Sequence, residues 1–207
     1  MNPKLAIAFL LLSVALAAGC GAARPSKYYQ LTVPNNLSAD PPSEPYPVSL
    51  LLGSLMSSHL YREDRIVYSS GSESMGAYEY QRWAEPPTEM IEEVLLRELR
   101  ASGRYRGVNS LRSGARGDYV ISGRLYDFRE VSGPPLLARV SFELTMRDNK
   151  TASTVWNHSY SHDEPVDGKD VPSVVAALNR NVQRGVSEFR SSLNEYFSTH
   201  PVNPSPQ

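Results

Sequence analysis

Residues 118–162 read DYVISGRLYDFREVSGPPLLARVSFELTMRDNKTASTVWNHSYSH, and this stretch decides the fold. Its middle run, Leu137 to Arg147, alternates. Val140, Phe142, Leu144 and Met146 point one way and Arg139, Ser141, Glu143 and Thr145 the other, as in a strand with one covered face. Asp118 to Glu130 supplies the strand before it, joined across Ser132-Gly133-Pro134-Pro135. Asp148-Asn149-Lys150 then turns the chain into Thr154 to His162. The three runs make an antiparallel meander.

A helix is expected on either side of this meander. The earlier one starts near Pro86-Pro87, where proline suits a first turn, and ends at Gly103. Its apolar face is Met90, Ile91, Val94, Leu95 and Leu99, with Glu89, Glu92, Arg97 and Arg100 outside it. The later one is capped by Asp170 and carries Val171, Val175, Leu178, Val182, Val186, Phe189, Leu193 and Tyr196 at three- and four-residue spacings. About 26 helical residues make a rod of roughly 39 Å. Its apolar face either lies on the sheet or pairs in part with another subunit, so a homo-oligomer stays open. Further upstream, Lys27 to Val33, Pro47 to Leu55, and the pair Arg65 to Ser69 and Met75 to Trp83 around Ser70-Gly71-Ser72 read as strands. The five prolines between Pro34 and Pro47 mark a long loop. The expected architecture is α+β: a mixed, largely antiparallel sheet with a middle helix and a long C-terminal helix packed on it.

The first residues have a different character. Met1 to Lys4 is basic, and Leu5 to Ala18 is apolar apart from Ser13. Fourteen residues suit the core of a signal peptide better than a bilayer span. The run ends Leu16-Ala17-Ala18-Gly19-Cys20, which resembles a bacterial lipobox with alanine where leucine is most frequent. Cys20 is the one cysteine of the 207 residues, so it forms no intramolecular disulfide. As an unmodified thiol in an oxidising compartment it would invite mispairing. The expected division is a lipoprotein signal peptide over 1–19, lipidated Cys20 and a short tether over 20–26, a globular domain over 27–197 and a disordered tail over 198–207. Several acyl chains together anchor firmly where one does not. Gly21, in place of the aspartate common in inner-membrane lipoproteins, favours the outer membrane of a Gram-negative cell.

The chain has 21 basic and 22 acidic residues, which excludes the basic excess of a general nucleic-acid binder. The arginines are nonetheless concentrated. Eight lie between Arg97 and Arg129, against Glu98, Asp118 and Asp127. Arg104, Arg106, Arg112 and Arg116 are the candidate interaction patch, for phospholipid headgroups or an acidic partner; the plainer reading is a solvated rim with local pairing.

Catalytic patterns are not found. His158 and His162, with Asp163 and Glu164 beside them, lie on an expected strand, where four residues span about 13 Å, too far for one metal ion. There is no nucleophile elbow, phosphate-binding loop or dinucleotide fingerprint. Glu92 and Glu93 point about 100° apart on a helix. No cofactor or metal is expected.

Several segments in order resemble the PqiC-like ABC-type transport auxiliary lipoprotein family. They are Tyr28-Tyr29-x-Leu31, the DRIVYSS run from Asp64, the YEYQRWAEP run from Tyr78, residues 95–108 (LLRELRASGRYRGV), the Asp118-to-Phe128 strand, and the long C-terminal helix. The similarity covers roughly residues 27–197. Ile66 departs from the proline that often follows the arginine, and Gln81 from a common histidine. The resemblance implies a non-catalytic periplasmic lipoprotein that works with an ABC transporter and an MCE-domain protein to move lipid between membranes. Two other classes share some of these features. An activator of a cell-wall synthase usually needs a long linker, whereas the six residues 21–26 reach only about 20 Å. A periplasmic lipid carrier needs a cavity for an acyl chain.

Overall fold

The computed structural model describes residues 24–32, 44–71 and 73–201. Cys20, the signal sequence before it, and most of the proline-rich stretch lie outside the described residues. Eight strands form one sheet: β1 (Lys27–Tyr29), β2 (Tyr46–Ser57), β3 (Arg65–Ser70), β4 (Ser74–Trp83), β5 (Tyr105–Ser110), β6 (Tyr119–Ser132), β7 (Leu137–Asp148) and β8 (Thr154–Pro165). Two α-helices, α1 (Pro87–Ala101) and α2 (Val171–Thr199), pack on one face.

The meander is present as read: β6, β7 and β8 pair antiparallel along nearly their whole lengths. Ala138, Val140, Phe142, Leu144 and Met146 of β7 are buried, while the alternate residues from Leu137 to Thr145 are only half-buried. The other edge of β6 is shared by two strands. Its first half pairs parallel with β2 and its last four residues parallel with β3, with a register shift in the β6–β7 ladder between Leu125 and Asp127. Beyond β3 lie β4, antiparallel, and then β1, parallel; beyond β2 lies β5, also parallel. The sheet is therefore mixed, with the long antiparallel ladders at β6–β7–β8.

The short strand β5 is absent from the sequence reading. Tyr105-Arg-Gly-Val-Asn-Ser has little intrinsic strand preference, and its partner β2 is some 50 residues away, so no turn announces the pairing. β1 is shorter than the expected Lys27–Val33. The chain leaves it and is held on α2 instead, where the Thr32 N–H donates to Asn179 Oδ1 (2.9 Å) and Gln183 Nε2 donates to the Thr32 carbonyl (3.1 Å).

Helix α1 starts as expected with proline in its first turn. One residue is misassigned: Glu92 is buried, not outside the apolar face. β2 shifts register between Leu52 and Leu55, which frees the Leu55 N–H, and that group donates to Glu92 Oε1 (2.7 Å). Asp170 caps α2, accepting from the Ser173 N–H at 3.0 Å. The helix runs to Thr199, so the first two residues of the expected tail are helical. Its apolar face lies on β7, β8 and β6, so self-association would use another surface.

On the face away from the helices, Arg139 grips Asp163 across β7 and β8 through two bonds, Nε to Oδ1 (2.7 Å) and Nη2 to Oδ2 (2.6 Å). Donation from Arg139 holds the Asp163 carboxyl below its ordinary range. A depressed folded-state value means that the pair's stability is fully present above the unfolded value of about 3.9 and is lost as pH falls through the lower folded value. Asp163→Asn is therefore expected to lower the urea midpoint above pH ~4 and to flatten its decline below that pH.

Candidate functional site

The four arginines of the candidate patch lie around the start of β5, the start of β6 and the connection between them. Arg104 stacks on Tyr46, with Cζ 4.6 Å from the ring centroid, and donates to its hydroxyl (2.8 Å). Arg106 reaches across β2, donating to Ser49 Oγ (3.2 Å) and Asp118 Oδ2 (3.0 Å). Arg112 pairs with buried Glu92 (2.9 Å) and donates to Ser54 Oγ (3.2 Å), tying the connection to the β2 irregularity and to α1. Arg116 is exposed and makes no ion pair among the described residues. Two of the four are thus matched to carboxylates inside the fold, and the patch is less positive than the sequence count implies. Arg112 keeps most of its guanidinium in water, its side chain 69% exposed against 11% for Glu92.

A feature not visible in the sequence adjoins this patch. On the sheet face opposite the helices, Ser54, Met56, Ser122, Arg124, Tyr126 and Thr145 line an open groove of about 340 Å³. Met56 and Tyr126 are large apolar side chains left exposed there, at 60% and 49%. Leu111, also exposed, sits beside Gly53 at the β2 side. Gly123 lines the groove with its backbone; a Cβ there would point to the core face and run into the Glu143 carbonyl and the buried Leu144 side chain. The Tyr126 hydroxyl donates to Glu143 Oε2 (2.9 Å), which fixes that wall. Arg124 borders the groove, and Ser54 joins it to Arg112. Single exposed apolar residues need no explanation, but neighbouring ones rimmed by arginine have the composition of a contact surface.

Strand directions fix where this surface lies relative to the N-terminal segment. β6 has 14 residues, so its ends are about 45 Å apart. Arg104, Arg106 and Arg116 lie at the Tyr119 end, where β5 begins and residues 114–118 lead into β6. β1 runs with β4, away from the β3–β4 hairpin, and that hairpin pairs at the Ser132 end of β6. The residues before Lys27 therefore point toward the opposite end, with Arg24 over the Tyr80 ring at 5.9 Å.

The other residues singled out in the sequence do not converge. His158 stacks on Trp156 of the same strand, and burial lowers its pKa. His162 lies 3.5 Å from Glu164, which also pairs with Arg180 and Arg184. Among the described residues no group of three or more His, Cys, Asp or Glu side chains could hold a metal ion. Among them, too, no helix is long and apolar enough to cross a membrane. Gln81 has a local role, accepting from the Tyr29 hydroxyl (2.8 Å), and Trp83 is buried against Phe128 at the corner leading to α1.

A model of the ABC-type transport auxiliary lipoprotein component matches residues 29–188. No match was found among curated proteins. Among solved structures, the chain is similar to a DUF330 protein from Xanthomonas campestris, with 17% identity and a TM-score of 0.75, over 84% of this chain and 99% of that one. It is also similar to a second protein of uncharacterized function, with 12% identity and a TM-score of 0.65, over 82% and 99% of the two chains. These likenesses show the fold.

Proposed function

The chain belongs to the ABC-type transport auxiliary lipoprotein family, and from that premise we propose that it is a non-catalytic lipoprotein of the outer membrane, acylated at Cys20 and facing the periplasm. There it docks the MCE-domain conduit of an ABC-type intermembrane lipid transport system. The observation that carries this reading is the separation of anchor and patch. The chain before Lys27 leaves β1 toward the Ser132 end of β6, whereas Arg104, Arg106 and Arg116 lie at the Tyr119 end and the apolar groove lies between, at residues 122–126. A patch serving phospholipid headgroups would be expected beside the anchor. One on the other side of β6 from the β1 edge, with β3 and β4 between, suits an acidic or amphipathic protein surface reaching the membrane from the periplasm.

The two rival classes fare less well. The short tether disfavours a cell-wall synthase activator. Against a carrier, the apolar faces of sheet and helices close on one another in a single cluster that includes Leu50, Ile91, Phe128, Phe142 and Phe189. Crosslinking in intact envelopes, followed by identification of partners, tests the docking. An MCE-domain protein or transporter subunit is the expected product, and a cell-wall synthase without either overturns the reading. Arg112 is a poor probe, because a glutamate there would face buried Glu92. Arg116→Glu combined with Arg124→Glu is expected to lower crosslinking at least tenfold, a loss of about 1.4 kcal/mol, while leaving the unfolding midpoint unchanged.

A further inference from the structure

We propose that the outer edge of β1 is a membrane seat: Tyr28, Arg24, Lys27 and Tyr80 rest in the headgroup layer of the bilayer that holds the anchor. This inference rests on acylation of Cys20. Only Gly21, Ala22 and Ala23 separate Cys20 from Arg24, so Arg24 stays within about 14 Å of the acylated residue. Whatever surface surrounds Arg24 must then meet the headgroups.

That surface has suitable chemistry. Tyr28 is 64% exposed, more than any other large apolar side chain among the described residues. Pairing of Tyr28 with Arg82 places Tyr28 and Tyr80 on one face of the β1–β4 wing, and Lys27, paired with Gln81, borders the same edge from the other face. Arg24 lies over the Tyr80 ring. Tyrosine suits a boundary layer, having an apolar ring and a polar tip, and arginine and lysine can meet phosphate there. Arg24, Lys27 and Tyr80 line a depression of about 390 Å³ beside Tyr28, in which exposed Glu79 is the one carboxylate. Among the described residues β1 is also the last strand on its side of the sheet, so its outer backbone groups face outward, where headgroups and their water can bond them.

The test uses the full-length acylated protein in vesicles of phosphatidylethanolamine and phosphatidylglycerol. Tyr28→Trp adds a fluorophore, read as the difference from the wild type, whose Trp83 and Trp156 are buried. The expected result is emission at shorter wavelength that is quenched by acyl-chain-brominated lipid. Tyr126→Trp, in the groove, is expected to show neither change. Adding Arg24→Glu and Lys27→Glu is expected to return the residue 28 emission to its solvent-exposed wavelength. A chain whose mass lacks the acyl groups overturns the anchor and the seat with it. An acylated, vesicle-bound chain whose residue 28 emission is unquenched overturns the seat alone.

Discussion

Replacing Asn181 with leucine is expected to destabilise the domain by about 3 kcal/mol, read as a lower denaturant midpoint in a soluble form lacking the first 20 residues. Asn181 is fully buried in α2. Its Nδ2 donates to the carbonyls of Ala138 (2.8 Å) and His162 (2.9 Å), one on each of the paired strands β7 and β8. Its Oδ1 accepts from the Tyr160 hydroxyl (2.6 Å), which also reaches the Asn181 carbonyl (3.1 Å). Leucine keeps the branched skeleton but removes the second donor from each of two strand carbonyls and one of the two acceptors of the buried Tyr160 hydroxyl. Each of the three hydrogen bonds lost contributes about 1 kcal/mol. Asn181→Asp gives a second reading. A carboxylate facing two carbonyls in a dry site has its pKa raised, so its contribution is greatest below the unfolded value of about 3.9 and falls as pH rises through the folded value. That variant is expected to be less stable at pH 7 than at pH 4, a pH dependence that Asn181→Leu lacks.

Asn181 also shows which parts of the fold were legible in the sequence. The period-two pattern of β7 identifies a strand covered on one side, because every residue on that side is apolar. The seam of α2 is less regular. Val171, Val175 and Tyr196, which continue the apolar spacing, are only half-buried, whereas Val174, Ala177, Asn181, Gly185 and Phe197 are buried. An asparagine and a glycine do not register in a hydrophobic pattern, although both face the sheet. Glu92 was hidden for a similar reason. A glutamate on a helix is ordinarily solvated, and its burial depends on a register shift in β2 and an arginine 20 residues later. The arginine patch was legible as a charge count but not as a surface. Pairing with Asp118 and Glu92 depends on β2, β5 and β6 lying side by side, and parallel neighbours distant in sequence carry no local signal. The groove needed the third dimension as well, since Met56 and Tyr126 come together only through the β2–β6 ladder.

Gly185→Leu is expected to cost about 3 kcal/mol or more, for a steric reason. A glycine within a helix ordinarily costs about 1 kcal/mol relative to alanine, so substitution at an unconstrained site would stabilise the protein. At position 185 a Cβ would lie 2.8 Å from Tyr160 Cδ1 and Cε1 and 2.9 Å from Phe142 Cε1. The two rings lie 5.2 Å apart between centroids, tilted by 33°, and fill the space above the helix backbone. Asn181 lies one turn earlier and holds the hydroxyl of that same Tyr160, so the ring cannot swing aside without losing its hydrogen bonds. Even Gly185→Ala is therefore expected to destabilise, against its helix preference. A double-mutant cycle distinguishes crowding from a helix effect. With Tyr160→Ala the nearer ring is gone, and Gly185→Ala is expected to become neutral or stabilising, with a coupling of about 1–3 kcal/mol between the two sites. Equal effects of Gly185→Ala in both backgrounds would show that Tyr160 does not set the approach of α2 to the sheet.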